Sequence, residues 1–162
     1  MERKFLLENI YDFHIVLFQP DIPPNTGNIA RLCVATNSTL HIVKPMGFNL
    51  SDKKLKRAGL DYWQHLKLKL HNSLDDFLEF TKGKRLFFST TKSENIVYSK
   101  NYVKGDYFVF GSETKGLPEE LLKENFENCI NIPTTDKVRS INLSDSVSIV
   151  LYEAIRQVGF NE

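Results

Sequence analysis

The sequence predicts an α/β fold, with a mainly parallel sheet covered by helices on both faces. Three observations point to it. Strand-like and helix-like segments alternate along the chain, which is the order that βαβ units require. The strand-like runs are almost continuously apolar, as in Phe13-His14-Ile15-Val16-Leu17-Phe18 and Tyr107-Phe108-Val109-Phe110, the mark of strands buried on both faces. No internal repeat, low-complexity tract or linker breaks the alternation.

Residues 1–12 are charged and mixed and read as an N-terminal extension, leaving 13–162 as one domain. A chain of 162 residues fits a single domain and can bury enough surface to need no disulfide or metal staple. After the first strand, Pro20, Pro23 and Pro24 hold a loop. A helix is expected from about Thr26 to Asn37, capped by Asn25 or Thr26 and striped by Ile29, Leu32 and Cys33. Leu40-His41-Ile42-Val43 is a second buried strand, and Ser51 opens a short basic helix that stops near Gly59. His65 to His71 alternates polar residues with Leu and reads as a strand with one wet face. Ser73 caps an acidic helix that ends at Gly83; Leu86-Phe87-Phe88 is the next strand, and Tyr107 to Phe110 runs up to Gly111. Pro118 opens a short helix at its first turn. Cys129 to Ile132 is a last short strand, and residues 144–158 form the final helix, capped by Ser144 and closed by Gly159.

Composition narrows the function classes. The chain is 41% hydrophobic and 25% charged, with a formal net charge of only +1. Any nucleic-acid surface must therefore come from local clustering or from the pairing of two subunits. Lys53, Lys54, Lys56 and Arg57 form the densest basic cluster, followed by Lys82, Lys84 and Arg85. The first reads equally well as a solvated face, and the second is the weaker candidate for a phosphate contact. Tyr62 and Trp63 could stack on a base or fill the core. Cys33 and Cys129 lie in apolar stretches, without the spacing of a metal or redox pair, and read as reduced core thiols. His14, His41, His65 and His71 sit in or beside strands and lack ligand spacing, so no metal is expected. No G-x-G-x-x-G follows the first strand, and neither a P-loop nor a G-x-S-x-G elbow occurs. The first residues carry no long apolar run, so neither a signal peptide nor a membrane span is expected and the protein is placed in the cytosol.

In an open parallel sheet, ligands bind beyond the carboxyl ends of the strands. Three loops at such ends carry unusual residues: Asn25-Thr26-Gly27-Asn28-Ile29-Ala30-Arg31, Gly111-Ser112-Glu113-Thr114-Lys115-Gly116-Leu117-Pro118, and Ile132-Pro133 leading to Val138-Arg139-Ser140-Ile141-Asn142-Leu143-Ser144. Singly, each has a plain structural reading. Asn25, Asn142 and Ser144 can be helix caps, Arg31 and Glu113 solvated side chains, Gly111 and Gly116 turn formers. Their common location at one side of the sheet favours a site.

In order and spacing, these loops resemble the three motifs of the SPOUT-class (trefoil-knotted) RNA methyltransferases. The stretches NTGNIARLC, FGSETKGLP and IP…VRSINLSDSVSIVLYEAIRQ carry the likeness over about residues 13 to 159. It is strongest to the minimal TrmL type, which lacks an added RNA-binding module, and Gly59-Leu60-Asp61-Tyr62-Trp63 also looks like that subgroup. The resemblance implies a C-terminal trefoil knot, an exception to the usual avoidance of knots. It implies S-adenosylmethionine as methyl donor, held largely by backbone groups at Ser89, Thr90, Gly111, Gly116, Ile132, Ser140 and Leu143. It further implies a homodimer in which one subunit's first motif lies near the other's donor site. The reaction implied is 2′-O-methylation of tRNA in its anticodon stem-loop, at the wobble cytidine or carboxymethylaminomethyluridine of leucine tRNA. Another tRNA or rRNA position, or a non-catalytic RNA-binding module, are the alternatives.

Arg31 matches the family arginine often assigned the removal of the hydroxyl proton, with Asn25, Glu113 and Asn142 as its companions in the catalytic set. A guanidinium stays protonated and has no acceptor, so Arg31 is read as a stabiliser of oxyanion charge or a phosphate grip, oriented by Asn25. The dimer is expected to form through the last helix, where Val147, Val150, Leu151, Ala154, Ile155 and Val158 give a wide apolar face. The sequence departs from the family pattern in four places. Val34-Ala35-Thr36-Asn37 stands where Ala-Asn-Thr-Gly is common, Ser112 replaces Pro, Val138 replaces Ser, and Ser89 replaces an apolar residue. Asn37 can take the place of Gly because it tolerates left-handed geometry.

Overall fold

A computed structural model describes residues 7, 11–51, 53, 55, 57 and 60–160. Six parallel strands form one sheet: β1 (His14–Phe18), β2 (Thr39–Val43), β3 (Lys67–His71), β4 (Leu86–Ser89), β5 (Tyr107–Phe110) and β6 (Cys129–Ile130). Their order across the sheet is β3-β2-β1-β5-β4-β6. Val16 of β1 stands opposite His41 of β2 and Val109 of β5, so the centre is in register on both sides. The helices are α1 (Pro23–Ala35), α2 (Leu74–Phe80), α3 (Glu119–Glu124) and α4 (Leu143–Val158).

Alternation of side chains explains why the central strands are apolar throughout. Ile15 and Leu17 point into one core with Ile29, Ala30 and Cys33 of α1 and Val147, Val150 and Leu151 of α4. Val16 and Phe18 point into a second core with Phe77 of α2 and Leu121 and Leu122 of α3. Each strand residue thus meets a helix whichever way it points. Both cysteines are free and buried, one in each core, and burial pushes both thiols above their ordinary range.

Several boundaries differ from expectation. Helix α1 begins at Pro23 rather than Thr26, because prolines at the first helical positions remove N–H groups that have no helical partner anyway. Neither Asn25 nor Thr26 caps it: the N-cap is Ile22, which makes no side-chain cap bond. Pro118 is the N-cap of α3, one residue outside the helix. Asn142, not Ser144, caps α4, its side chain accepting from the Ser144 N–H. The shorter reach places the acceptor one residue before the first helical position, where caps act. Residues Leu60–His65 form a 3-10 helix, so β3 starts at Lys67. As an edge strand it is largely exposed, and its lysines keep that edge from templating another chain. The strand at Cys129 stops at Ile130. In the expected basic helix, Lys53, Leu55 and Arg57 are helical and Leu55 is buried, while Lys54, Lys56 and Gly59 lie outside the described residues. Asn37 adopts φ 54°, the left-handed geometry its sequence position calls for.

The six apolar residues of α4 serve the subunit itself. Val147, Val150, Leu151, Ala154 and Ile155 are fully buried among the elements of their own chain, and Val158 packs against the same core. The wide stripe is needed because α4 lies against α1 as well as the sheet, while Tyr152 on the same helix stays exposed.

Three of the histidines form a line across the second core. His14 Nδ1 lies 2.9 Å from His41 Nε2, and His41 Nδ1 lies 2.9 Å from His71 Nε2. His14 stacks on Tyr107, and Phe77 meets His71 edge-on. Burial, with smaller contributions from the neighbouring histidines and Lys69, pushes His41 down to about 3. Burial also lowers His14 and His71.

Candidate functional site

Strands β1 and β5 are neighbours in the sheet, yet the chain leaves them in opposite directions. From β1 it enters α1 on one face; from β5 it enters α3 on the other. Such a divergence opens a crevice beyond the strand ends. The loops after β1 and β5 meet there, joined by the loop before α4.

Glu113 makes the first junction. Its carboxylate accepts from the N–H groups of Asp21 at 2.8 Å and Ile22 at 3.2 Å. These amides lie at the N-terminus of α1, which has no cap of its own and whose dipole favours a negative charge. Thr114 reinforces the junction, its hydroxyl donating to the Asp21 carboxylate at 2.7 Å. Asn25, buried in the first turn, donates from Nδ2 to Glu113 at 3.3 Å. Its Oδ1 accepts from Asn142 Nδ2 at 3.1 Å, and Asn142 Oδ1 accepts from the Ser144 N–H at 2.8 Å. A carboxylate at one end and a backbone N–H at the other fix both amide orientations. One hydrogen-bonded chain therefore ties the three motif loops together.

The loop from Gly111 to Pro118 is tightly folded. The Gly116 N–H donates to the Ser112 carbonyl at 3.0 Å, and the Lys115 N–H to the Ser112 hydroxyl at 3.1 Å. A Cβ on Gly111 would overlap the backbone of Gly116 and Leu117. Gly111 is therefore required by the loop's own closure. Gly116 sits at φ +68° with open space where a Cβ would point, so its constraint is conformational.

These loops border a cleft of about 530 Å³. Ser89, Thr90, Gly111, Gly116, Ser140 and Leu143 line it, as do Asn25, Glu113 and Asn142. Thr91, Lys92, Ser112, Arg139 and Ile141 line it too and were missed as site residues. Thr91 and Lys92 directly follow Ser89-Thr90 beyond the end of β4, and Arg139 directly precedes Ser140. Adjacency to strand ends was the available signal. Lys92 also pairs with Glu119 at 2.8 Å.

Two expected site residues lie elsewhere. Ile132 packs against the first core and is not among the residues lining the cleft. Arg31 is on the exposed face of α1, its guanidinium 4.8 Å from the centre of the Tyr62 ring. Asn25 does not orient it. The two are six residues apart on the helix, roughly 9 Å along the axis and on different faces, and both ends of the Asn25 amide are engaged with Glu113 and Asn142. Among the basic candidates, Arg85 is bonded to the buried Asp106 at 2.7 Å and to the Asn101 carbonyl at 2.8 Å, so it anchors β4 to the loop before β5. Trp63 packs against the core. Among the described residues no three His, Cys, Asp or Glu side chains converge as a metal site would require, and no helix is long and apolar enough to cross a membrane.

Comparison with known proteins matches this arrangement. A solved structure described as giving insight into the 2-OH methylation of C/U34 on tRNA is 46% identical, with a TM-score of 0.88, and covers 92% of this chain and 97% of its own. An AdoMet-bound rRNA methyltransferase from Sinorhizobium meliloti, 21% identical with a TM-score of 0.83, shares the fold over 91% of this chain and 57% of its own. The tRNA (cytidine(34)-2'-O)-methyltransferase of Methylovorus glucosotrophus is 48% identical over 150 residues, 91% of this chain and 97% of that protein. Its counterpart in Saccharophagus degradans is 46% identical over 149 residues, with the same coverage of each chain. The model of the SpoU rRNA Methylase family matches residues 12–152, and the chain belongs to that family.

Proposed function

We propose that this protein methylates the ribose 2′-hydroxyl of tRNA at wobble nucleotide 34, the position named for its relatives, using S-adenosylmethionine. The observation that carries the reading is the convergence of all three motif loops on one cleft at the switch point of the sheet. The cleft's size suits a nucleoside-sized ligand. Its hydroxyls at Ser89, Thr90 and Ser140 and its folded glycine loop supply donors and acceptors at close range. When bound, S-adenosylmethionine supplies an electrophilic methyl group on a sulfonium.

The chain's own residues do the rest. Ser89, Thr90, Gly111, Gly116, Ser140 and Leu143 hold the donor, while Glu113, Asn25 and Asn142 keep the three loops in mutual position. Transfer to a ribose oxygen is an in-line displacement that requires tight alignment: the O–C bond forms as the C–S bond breaks, a neutral thioether leaves, and the hydroxyl proton passes to water as negative charge gathers on the oxygen. Arg31 stabilises the developing charge on that oxygen or grips the adjoining phosphate. Its exposed position, away from the cleft of its own subunit, supports a homodimer in which it serves the partner's cleft. Asn131 supports a knot. Its N–H and side-chain amide donate to the carbonyls of Asn95 at 2.8 Å, Thr91 at 3.4 Å and Ser93 at 3.3 Å, and its carbonyl accepts from the Val97 N–H at 2.8 Å. The loop after β4 thus runs alongside the segment that follows β6 and is bonded to it. Cytosolic location follows from the substrate.

Calorimetry tests the donor site. Asn25→Ala and Asn142→Ala should each weaken S-adenosylmethionine binding by about tenfold, since each strands a partner worth roughly 1–2 kcal/mol. Unchanged affinity in both would remove the network from the site.

A further inference from the structure

Arg31 shares the exposed face of α1 with Asn28 and Ala35 and makes no carboxylate pair among the described residues. What it does meet is the ring of Tyr62, with the guanidinium carbon over the ring at 4.8 Å from its centre. Tyr62 is carried by the 3-10 helix Leu60–His65, and that helix is anchored next door. Trp63 packs into the first core, and the Trp63 carbonyl accepts from the Leu66 N–H at 3.1 Å. A ring on a fixed segment therefore faces a charge on a long, exposed side chain.

We infer that Tyr62 is a positioning residue for Arg31, its ring face holding the guanidinium in the attitude that meets the substrate oxygen. The inference rests on the assignment of Arg31 to the reaction. A free arginine spreads over many rotamers, whereas charge stabilisation at a reacting oxygen needs donors already in place. A carboxylate would restrain the side chain but would occupy its fork of N–H groups and offset its charge. An aromatic face restrains it by cation–π attraction and leaves both the fork and the charge available. The phenolic hydroxyl plays no part, so the attraction depends on the electron density of the ring.

The test is single-turnover methylation of an anticodon stem-loop by the full-length protein, with donor saturating and RNA varied up to saturation, so that the limiting rate and the RNA concentration for half of it are read separately. The proteins are wild type, Tyr62→Leu, Tyr62→Phe, and a series with mono-, di- and trifluorinated phenylalanine at position 62. Tyr62→Phe should keep the wild-type rate. Each added fluorine should lower the rate further, and Tyr62→Leu should lower it about two- to tenfold, with donor affinity and melting temperature unchanged across the fluorinated series. A rate indifferent to fluorination overturns the inference. So does an effect confined to the KM for RNA, which would make Tyr62 a base-stacking residue. Arg31→Ala separates the two layers. If it loses turnover while fluorination has no effect, only the role of Tyr62 falls; if it keeps turnover, the role of Arg31 falls and this inference with it. The contact has its own readout independent of activity. The Arg31 Nε–H proton should show an upfield ring-current shift in wild type and Tyr62→Phe that disappears in Tyr62→Leu, and an unshifted wild-type resonance overturns the inference.

Discussion

Glu113 and Gly111 shape the loops by different physical effects, the role proposed for Arg31 adds a third, and each can be tested separately. Glu113 puts a charge where the α1 N-terminus has unpaired amides. Glu113→Ala should cost about 1–2 kcal/mol in urea unfolding and weaken donor binding in the same protein. Loss of either effect alone would divorce the cap from the site. Gly111→Ala forces a Cβ into the backbone of Gly116 and Leu117, so it should cost about 1–3 kcal/mol of stability as well as donor affinity. Gly116→Ala has space for its methyl and should cost only about 1–2 kcal/mol for the left-handed geometry. Equal melting temperatures for the two variants would contradict this ordering. For Arg31, removal of one preorganised donor costs about a hundred- to a thousandfold in rate. Arg31→Ala should show that loss with donor binding intact, and Arg31→Lys should recover only part, because an ammonium lacks the planar fork. Near-normal turnover by Arg31→Ala with saturating RNA would return Arg31 to a solvated helix residue.

At the scale of elements, the histidine line ties β1, β2 and β3 together and makes the sheet acid-sensitive. His41 is held near 3 in the folded chain, against about 6.5 for an ordinary histidine, so it is neutral when folded but takes up a proton when unfolded. Its contribution is fully present above pH 6.5 and is lost progressively as pH falls toward 3. Between those limits the unfolded state binds more protons, and stability falls by up to about 1.4 kcal/mol per pH unit for this one group. His14 and His71, also lowered, add to the slope in the same direction. Urea midpoints between pH 6.5 and 5, above the range of ordinary carboxylates, isolate the effect; a flat profile there would contradict it. The elements also show what a sequence discloses. The central strands and α4 were legible because a buried strand and a buried helix stripe leave periodic apolar signatures. The start of α1 was not, because prolines read as loop and its cap comes from Glu113, far along the chain. The 3-10 helix at Leu60–His65 was hidden because its local pattern continues into β3.

At the scale of the whole molecule, the site was legible as three loops on one side of a sheet, since parallel strands present their carboxyl ends together. Which side chains face the cleft was less so. Lys92 and Arg139 enter it by tertiary placement, and the pairing of Asn25 with Glu113 and Asn142 spans 88 and 117 residues. Most of the apolar stripe of α4 is buried inside the subunit, so a dimer through this helix would use what stays exposed on it, Tyr152 among them. A dimeric mass by sedimentation at micromolar concentration, kept in Val158→Ser, is expected. A monomer would leave Arg31 without a cleft to serve. The most direct measurement of the central claim is transfer of labelled methyl from S-adenosylmethionine to unmodified tRNA by the purified protein, followed by mass-spectrometric mapping of the product. One 2′-O-methyl group at nucleotide 34, absent with Arg31→Ala, is the predicted result; no transfer, or methylation at another nucleotide or on a base, would contradict it.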